Sequence, residues 1–304
     1  MGRIELAPAT PAEWPVACRL ALGNSPADLL DTRTTRLLEL VRVGTFDPVG
    51  LILARQNGTP VGAIAAQVLP GGSGVVLPPF GLDSAIREAL VDSATELFRR
   101  TGTIVIHCLL GEAEAPQAAP LLAGGFRHVT QIQHMLRHGS SLPDFAQHSS
   151  TTLKFVPYSD ALEAEFADTL QRTYVGTLDL PETTVDRPAA QQLDGYRHGQ
   201  PNPPRWWLAL DGPVRPVGVV MLSELTLAGV WEIAYLGLIP EARGQGLGHE
   251  LIRHAIRVSG RLGQVDLGLS VDVRNVRAAK LYRDWLFCVY ELQDLYLLRL
   301  PPAP

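Results

Sequence analysis

Only three of the 304 residues are cysteine, and Cys18, Cys108 and Cys288 are too far apart in sequence to make a pair with metal-ligand spacing. Each stands in an apolar neighbourhood, so three buried, reduced thiols are expected. No run of about 18 consecutive apolar residues occurs, which excludes a conventional membrane helix. The opening Met1-Gly2-Arg3-Ile4-Glu5-Leu6 lacks the basic segment, apolar run and small-residue cleavage site of an export signal, and a cytoplasmic location is expected. Positive charge is in deficit: 26 Lys and Arg face 31 Asp and Glu, a net charge of -5 at pH 7. Without interleaved basic and aromatic residues, a nucleic acid has no broad electrostatic reason to bind. Ser-x-x-Lys, Gly-x-Ser-x-Gly and clustered carboxylate patterns are also missing, which argues against a hydrolase. His198, His249 and His254 form no zinc set, and a helix surface is expected for His249.

What is present suits a compact protein. The chain is 46% apolar and 19% charged, and its length suggests two domains of about 150 residues each. The polar, Gly/Pro/Ser-interrupted stretch from Arg137 to Ser150 reads as a crossing between them. The expected division is 1–140, a linker at 141–150, and 151–304. A weak internal repeat agrees with duplication of one fold. Leu51 to Gly58 followed by Pro60 to Ala66 has hairpin grammar, and Trp207 to Gly212 followed by Pro216 to Leu222 repeats it. The alternative is chance similarity between two ordinary hairpins.

In the second half, a helix is expected over Ala161–Tyr174 with Asp160 as its cap. Val230 to Leu238 is nearly all apolar and reads as a central strand. A helix over Gln245–Ser259 places Leu247, Leu251, Ile252, Ala255 and Ile256 inward, with Glu250, Arg253 and Arg257 available for the wet side. A strand over Gln264–Val271, a helix from Asn275 to about Trp285 and a strand over Leu292–Leu300 follow. The pattern is α+β with α/β-like layers.

Between the central strand and the amphipathic helix lies Pro240-Glu241-Ala242-Arg243-Gly244-Gln245-Gly246-Leu247-Gly248. Glycines let backbone amides converge, and together with the positive end of a helix they stabilise a phosphate. The segment lacks the Gly-Lys-Ser/Thr of a Walker loop and the spacing of a dinucleotide fingerprint. Alone, it leaves a structural turn and an anion site as alternatives.

Arg243, Gly246 and Gly248 meet the Arg/Gln-x-x-Gly-x-Gly/Ala pattern of the GCN5-related N-acetyltransferase (GNAT) superfamily, which the second half resembles. Asn275-Val276-Arg277-Ala278-Ala279-Lys280-Leu281-Tyr282-Arg283-Asp284-Trp285-Leu286-Phe287 resembles a second signature of that family, with Ala278, Leu281, Tyr282 and Phe287 in register. Leu286 replaces its usual glycine. The resemblance implies two tandem domains, each a mixed central sheet flanked by helices, and a transfer of acetyl or another short acyl group from acyl-CoA to an amine. It also implies one acetyl-CoA per chain and no metal. The pyrophosphate would lie on Arg243, Gly244, Gln245, Gly246, Leu247 and Gly248. The thioester arm would lie along Leu236, Gly237, Leu238 and Ile239, with Asn275 and Ala278 beside it.

By the same resemblance, Glu232 is the base that frees the amine and Tyr282 the acid that meets the departing sulfur. The bland alternatives are a structural carboxylate and a packing aromatic. Burial in an apolar strand would raise the Glu232 pKa towards neutrality. Tyr174, Asp179 and Tyr235 are the candidates for the acceptor pocket, although Tyr235 could equally be a core tyrosine and Asp179 a capping or solvated carboxylate. The acceptor is a small-molecule or peptide amine, and the oligomeric state stays open. The first half lacks the glycine pattern and has Asp83 where a helix begins, so it is expected to be a degenerate domain that binds no CoA. The competing class is a non-catalytic CoA-binding or protein-interaction module.

Overall fold

The structure is a computed structural model that describes residues 3–139, 153–184, 188–197, 204–225, 230–261 and 266–301. The expected linker at 141–150 and His198 lie outside these. The chain forms two compact units, one of residues 1–131 with 293–304 and the other of residues 132–292.

In the first unit, β1 (Ile4–Pro8) is followed by α1 (Trp14–Ala21), α2 (Ala27–Arg42), β2 (Leu51–Gln56) and β3 (Thr59–Leu69). The β2–β3 turn carries Asn57 at φ 52° and Gly58 at φ 81°, the two left-handed positions that an Asn-Gly hairpin supplies. Next come β4 (Ser73–Val76), β5 (Phe80–Gly81), α3 (Ser84–Arg100), β6 (Val105–Leu110), α4 (Ala118–Ala123) and the start of β7 (Arg127–Arg137), whose residues from Ile132 belong to the second unit. Leu90, Ala94 and Phe98 of α3 pack with Ile64 and Ile106 in one core cluster, and Ala17, Leu37 and Val41 pack with Leu51 and Leu53 in another.

The second unit contains β8 (Lys154–Pro157), α5 (Glu163–Thr173), α6 (Pro181–Thr184), α7 (Ala189–Arg197), β9 (Arg205–Asp211), β10 (Arg215–Leu225) and β11 (Val230–Leu238). It continues with α8 (Leu247–Arg261), β12 (Leu267–Asp272), α9 (Val276–Asp284) and the start of β13 (Cys288–Arg299). Leu251, Ile252 and Ala255 of α8 and Ala279 and Tyr282 of α9 share a core with Trp231, Ile233, Leu267 and Leu269. Phe166 and Leu170 of α5 and Leu193 of α7 share another with Trp206, Leu208, Val219 and Met221. Alternate residues of each strand thus feed two helical layers.

Strand pairing corrects the expectation of two separate tandem sheets. It runs β1-β2-β3-β4-β6-β13-β7-β12-β11-β10-β9-β8, with β5 on β3, in one continuous ladder. The cause lies in the last strand of each half. Ile132 to Arg137 of β7 pair with β12, whereas Asp294 to Arg299 of β13 pair with β6. Each half therefore completes its neighbour's ladder instead of closing its own.

Three local expectations are also corrected. Cys18 and Cys108 are buried but Cys288 is exposed, because β13 begins with a run of exposed residues. Asp160 opens a 3-10 turn over Asp160–Leu162, and α5 starts only at Glu163 with no side-chain cap. Glu250 is 4% exposed and hydrogen-bonds Arg253; a carboxylate in the first turn of a helix also meets the favourable end of its dipole.

Candidate active site

Two departures from regular pairing prepare the site on β11. On one side, Met221 pairs with Tyr235 and Leu222 with Ile233, so Ala234 is an extra residue in a bulge. On the other side, the parallel register with β12 covers Trp231, Glu232 and Ile233 against Leu267, Gly268 and Leu269, and no further. Beyond Ile233, β11 keeps its β10 partners, since Leu236, Gly237 and Leu238 pair with Val220, Val219 and Gly218. The opposite edge of that stretch is thus left without a ladder among the described residues, and its N–H and C=O groups can serve a guest. Gly237 is small for a local reason: a Cβ there would approach the Tyr235 hydroxyl at 2.8 Å and Thr173 Cβ at 3.0 Å.

The chain leaves this edge through a 3-10 turn at Pro240–Ala242 and reaches α8 by way of the glycine segment. Gly244 at φ +76° and Gly246 at φ +80° occupy the left-handed region, and a Cβ on either would meet nothing within 4 Å. Glycine is needed there for backbone conformation, not for space. Among the described residues, the amides of Gly244, Gln245, Gly246, Leu247 and Gly248 have no acceptor. A cluster of free amides at the start of a 15-residue helix is an anion cradle. Gly248 has a different job, because a Cβ would meet Leu281 Cδ2 at 3.0 Å where α8 passes α9.

Arg243 anchors this loop. Its Nε donates to the Leu238 carbonyl at 3.0 Å, Nη2 to Thr173 at 2.8 Å and Nη1 to Gly176 at 3.4 Å. The guanidinium therefore fastens the glycine loop to the end of β11 and to the carbonyl end of α5, where positive charge is favoured. Gln245 Nε2 donates to the Glu241 carbonyl at 2.8 Å.

On α9, Asn275 caps the helix by accepting from the Ala278 amide at 3.3 Å. The other end is a Schellman turn, with the Leu286 amide donating to Arg283 and the Phe287 amide to Tyr282. Its left-handed residue is Leu286, at φ +67°. The family's usual glycine belongs at this position because the turn demands that conformation, and the leucine adopts it at a cost. Tyr282 is buried among α8, α9 and sheet residues. Burial, with a smaller contribution from Asp179, pushes its phenol above its ordinary value. No described residue hydrogen-bonds its hydroxyl.

A second group gathers around the end of α5. Tyr174 and Tyr235 meet edge to face at 5.4 Å, Tyr196 lies 6.1 Å from Tyr235, and the Tyr235 hydroxyl is 2.8 Å from Thr173 Oγ1. Asp179 Oδ1 accepts from the Asp272 amide at 2.9 Å. Its surroundings, chiefly burial with added repulsion from Asp272, push its carboxyl up to about 6. Its charge is also felt at both Tyr235 and Tyr282. Arg274 braces the group, reaching the fully buried Asp272 at 2.6 Å and Glu182 at 2.7 and 2.9 Å.

Glu232 belongs to a third group. Burial raises its carboxyl, and a hydrogen bond from Ser270 opposes the rise. Ser270 Oγ is 2.9 Å from His134 Nδ1. The structure thus brings Tyr174, Asp179, Tyr235 and Tyr282 into one electrostatic neighbourhood, while Glu232 stands with Ser270 and His134. Sequence reasoning missed Thr173, Tyr196, His134, Ser270, Asp272 and Arg274. Ser270, Asp272 and Arg274 fall at or just after a predicted strand end, where loops commonly carry functional groups; the others gave no local signal. His249, expected at a surface, accepts from the buried Trp285 indole at 3.0 Å. His254 stacks on Phe155 at 3.8 Å, and burial pushes it down to about 4.

A parallel strand pair that ends at Ile233, a bulge and a free-amide helix entrance together form a site that a diphosphate with an extended arm can enter. Residues 166–286 match the acetyltransferase (GNAT) family model, which supports acetyl transfer from acetyl-CoA to an amine. It is 26% identical to the mycothiol acetyltransferase of Mycobacterium ulcerans (strain Agy99) over 93% of this chain and 99% of the relative. In fold it is similar to a GCN5-related N-acetyltransferase from Sphaerobacter thermophilus, with a TM-score of 0.69, 17% identity, and coverage of 99% of this chain and 97% of that one. A tandem GNAT protein from the clavulanic acid biosynthesis pathway is similar with a TM-score of 0.58 and 17% identity, covering 99% of this chain and 100% of that one. No described helix is long and apolar enough to cross a membrane.

Proposed function

We propose that the second unit binds one acetyl-CoA and acetylates a primary amine on a small molecule or peptide. The carrying observation is the set of partnerless amides from Gly244 to Gly248, which would receive the pyrophosphate. The arm would then run along the open edge of β11 from Leu236 to Ile239, with Asn275 and Ala278 beside it, and bring the thioester towards Tyr282.

The acceptor arrives as an ammonium and is drawn to Asp179 among Tyr174, Tyr196 and Tyr235, where aromatic faces also favour a cation. Glu232 takes the nitrogen's proton through a water molecule. The freed lone pair attacks the thioester carbonyl carbon, a C–N bond forms, and collapse of the tetrahedral adduct breaks the C–S bond. Tyr282, kept neutral by burial, passes its O–H proton to the developing thiolate and regains one from the adduct's nitrogen, so CoA leaves as the thiol, the product is a neutral amide and the phenol is restored. The first unit plays no part in holding CoA. Asp83 Oδ1 already accepts from the Ile86 amide at 2.8 Å at the start of α3, and its negative charge opposes a phosphate there.

A second reading gives the base role to Asp179. It is favoured by a carboxyl near 6 and by the field Asp179 exerts at Tyr282. Thiol release from acetyl-CoA separates the two. Glu232→Gln should lower kcat by about 100-fold with KM nearly unchanged, whereas Asp179→Asn should chiefly raise the acceptor KM. The reverse pattern makes Asp179 the base, and full turnover in both variants removes both assignments.

A further inference from the structure

Three neighbouring strands align polar side chains on one face. Parallel pairing sets Glu232 opposite Gly268, so Ser270, two residues further along β12, faces the same way as Glu232. Antiparallel pairing sets Ser270 opposite His134 of β7. Contacts complete the line: Ser270 hydrogen-bonds Glu232, and Ser270 Oγ lies 2.9 Å from His134 Nδ1. The Tyr290 ring of β13 lies 6.2 Å from the imidazole and is 64% exposed, and His134 itself is partly exposed. Glu232 and His134 are partly exposed and Ser270 is exposed, so the row runs along one face of the sheet from the carboxyl to the imidazole.

We propose that His134 is the proton exit for Glu232, acting through the Ser270 hydroxyl. This rests on the reading of Glu232 as base. After Glu232 has taken the acceptor's proton, its O–H gives that proton to Ser270 Oγ while the Ser270 hydroxyl proton passes to His134 Nδ1. The imidazolium releases a proton from Nε2 to solvent. Rotation of the serine hydroxyl and return of the neutral imidazole to its Nε2–H tautomer reset the row. One proton enters at the carboxylate and one leaves at the imidazole, so charge balances without another reactant. Other charged or titratable groups near the row are Tyr290 and Glu291 on β13 and Arg283, whose Nη2 donates to Gln133 Oε1 at 3.1 Å.

The relay makes His134 a positioning and proton-transfer residue that does not touch substrate. His134→Asn keeps a polar atom near the Nδ1 position but cannot titrate. With acetyl-CoA and glucosamine, tyramine or a lysine peptide, whichever turns over, kcat should fall about 10-fold in His134→Asn and in Ser270→Ala. KM should be preserved, the double variant should be no worse than either single one, and added imidazole buffer should restore rate to His134→Asn. An acceptor-free measurement runs alongside: the His134 ring resonances, followed by NMR at fixed pH, should move in Ser270→Ala, which removes the hydroxyl 2.9 Å from Nδ1, and in Glu232→Gln. Unchanged kcat in His134→Asn at every pH and buffer strength, or His134 ring resonances indifferent to both Ser270→Ala and Glu232→Gln, overturns the relay. Wild-type turnover in Glu232→Gln instead overturns the underlying assignment of the base.

Discussion

Replacing Asp179 with asparagine separates stability from function at one atom. The Asp179 carboxyl is raised from 3.8 to about 6 by burial and by Asp272. A folded-state pKa above the unfolded one means that folding favours the protonated form. Stability from this group is therefore complete below about pH 3.8 and is lost as pH rises through about 6. At pH 8 the full shift corresponds to about 3 kcal/mol; because the side chain is only half-buried, about half of that is expected. Asparagine keeps an Oδ1 to accept from the Asp272 amide, a bond of 2.9 Å, and removes the charge. Asp179→Asn should thus stabilise the protein by about 1–2 kcal/mol in urea unfolding at pH 8, with the gain shrinking as pH falls towards 4. The same variant should bind the ammonium acceptor less well, a trade common at functional sites. A destabilised variant at pH 8, or an equal difference at both pH values, refutes this reasoning.

Leu286→Gly should raise stability by about 1 kcal/mol, since it relieves a leucine held at φ +67°; the cost of that conformation is about 1–2 kcal/mol and glycine's extra chain entropy offsets part of the gain. Urea unfolding checks it, and a loss of stability would show that the half-exposed leucine side chain matters more than its backbone. Tyr282→Phe should cut kcat by about 10- to 100-fold while acetyl-CoA affinity stays near that of the unaltered protein, because it removes only the hydroxyl proposed to meet the sulfur. Stopped-flow thiol release together with calorimetry tests it, and an equal loss in binding would make Tyr282 a packing residue.

Much of the second unit was legible because its signals are local. The continuous apolar run at Val230–Leu238, the glycines before an amphipathic helix, and Asn275 ahead of Ala278 each report a backbone requirement at the place where it arises. Leu286 was legible as a departure, and the structure supplies its physical content as a positive φ. The joining of the ladders was not legible. Nothing local in Arg127–Arg137 or Cys288–Arg299 states which partner strand will accept its hydrogen bonds, and long-range pairing is decided by the whole sheet. The same limit hid the grouping of side chains. Asp179 and Asp272 lie 93 positions apart, and His134 and Ser270 lie 136 apart. Their proximity follows from register, not from spacing in sequence. Glu250 shows a third limit, since helical periodicity assigned it to solvent while a nearby arginine made burial tolerable.

The claim on which the account stands is that the Gly244–Gly248 amides hold the CoA diphosphate, and paired calorimetric titrations of Gly246→Val test it most directly. A valine at φ +80° must distort the turn or bear strain of about 1–2 kcal/mol. CoA affinity should therefore fall by at least about 10-fold, while pantetheine, which has the arm but no diphosphate, should bind the variant and the unaltered protein alike. Equal CoA affinity for the two proteins, or a parallel loss for pantetheine, would contradict it.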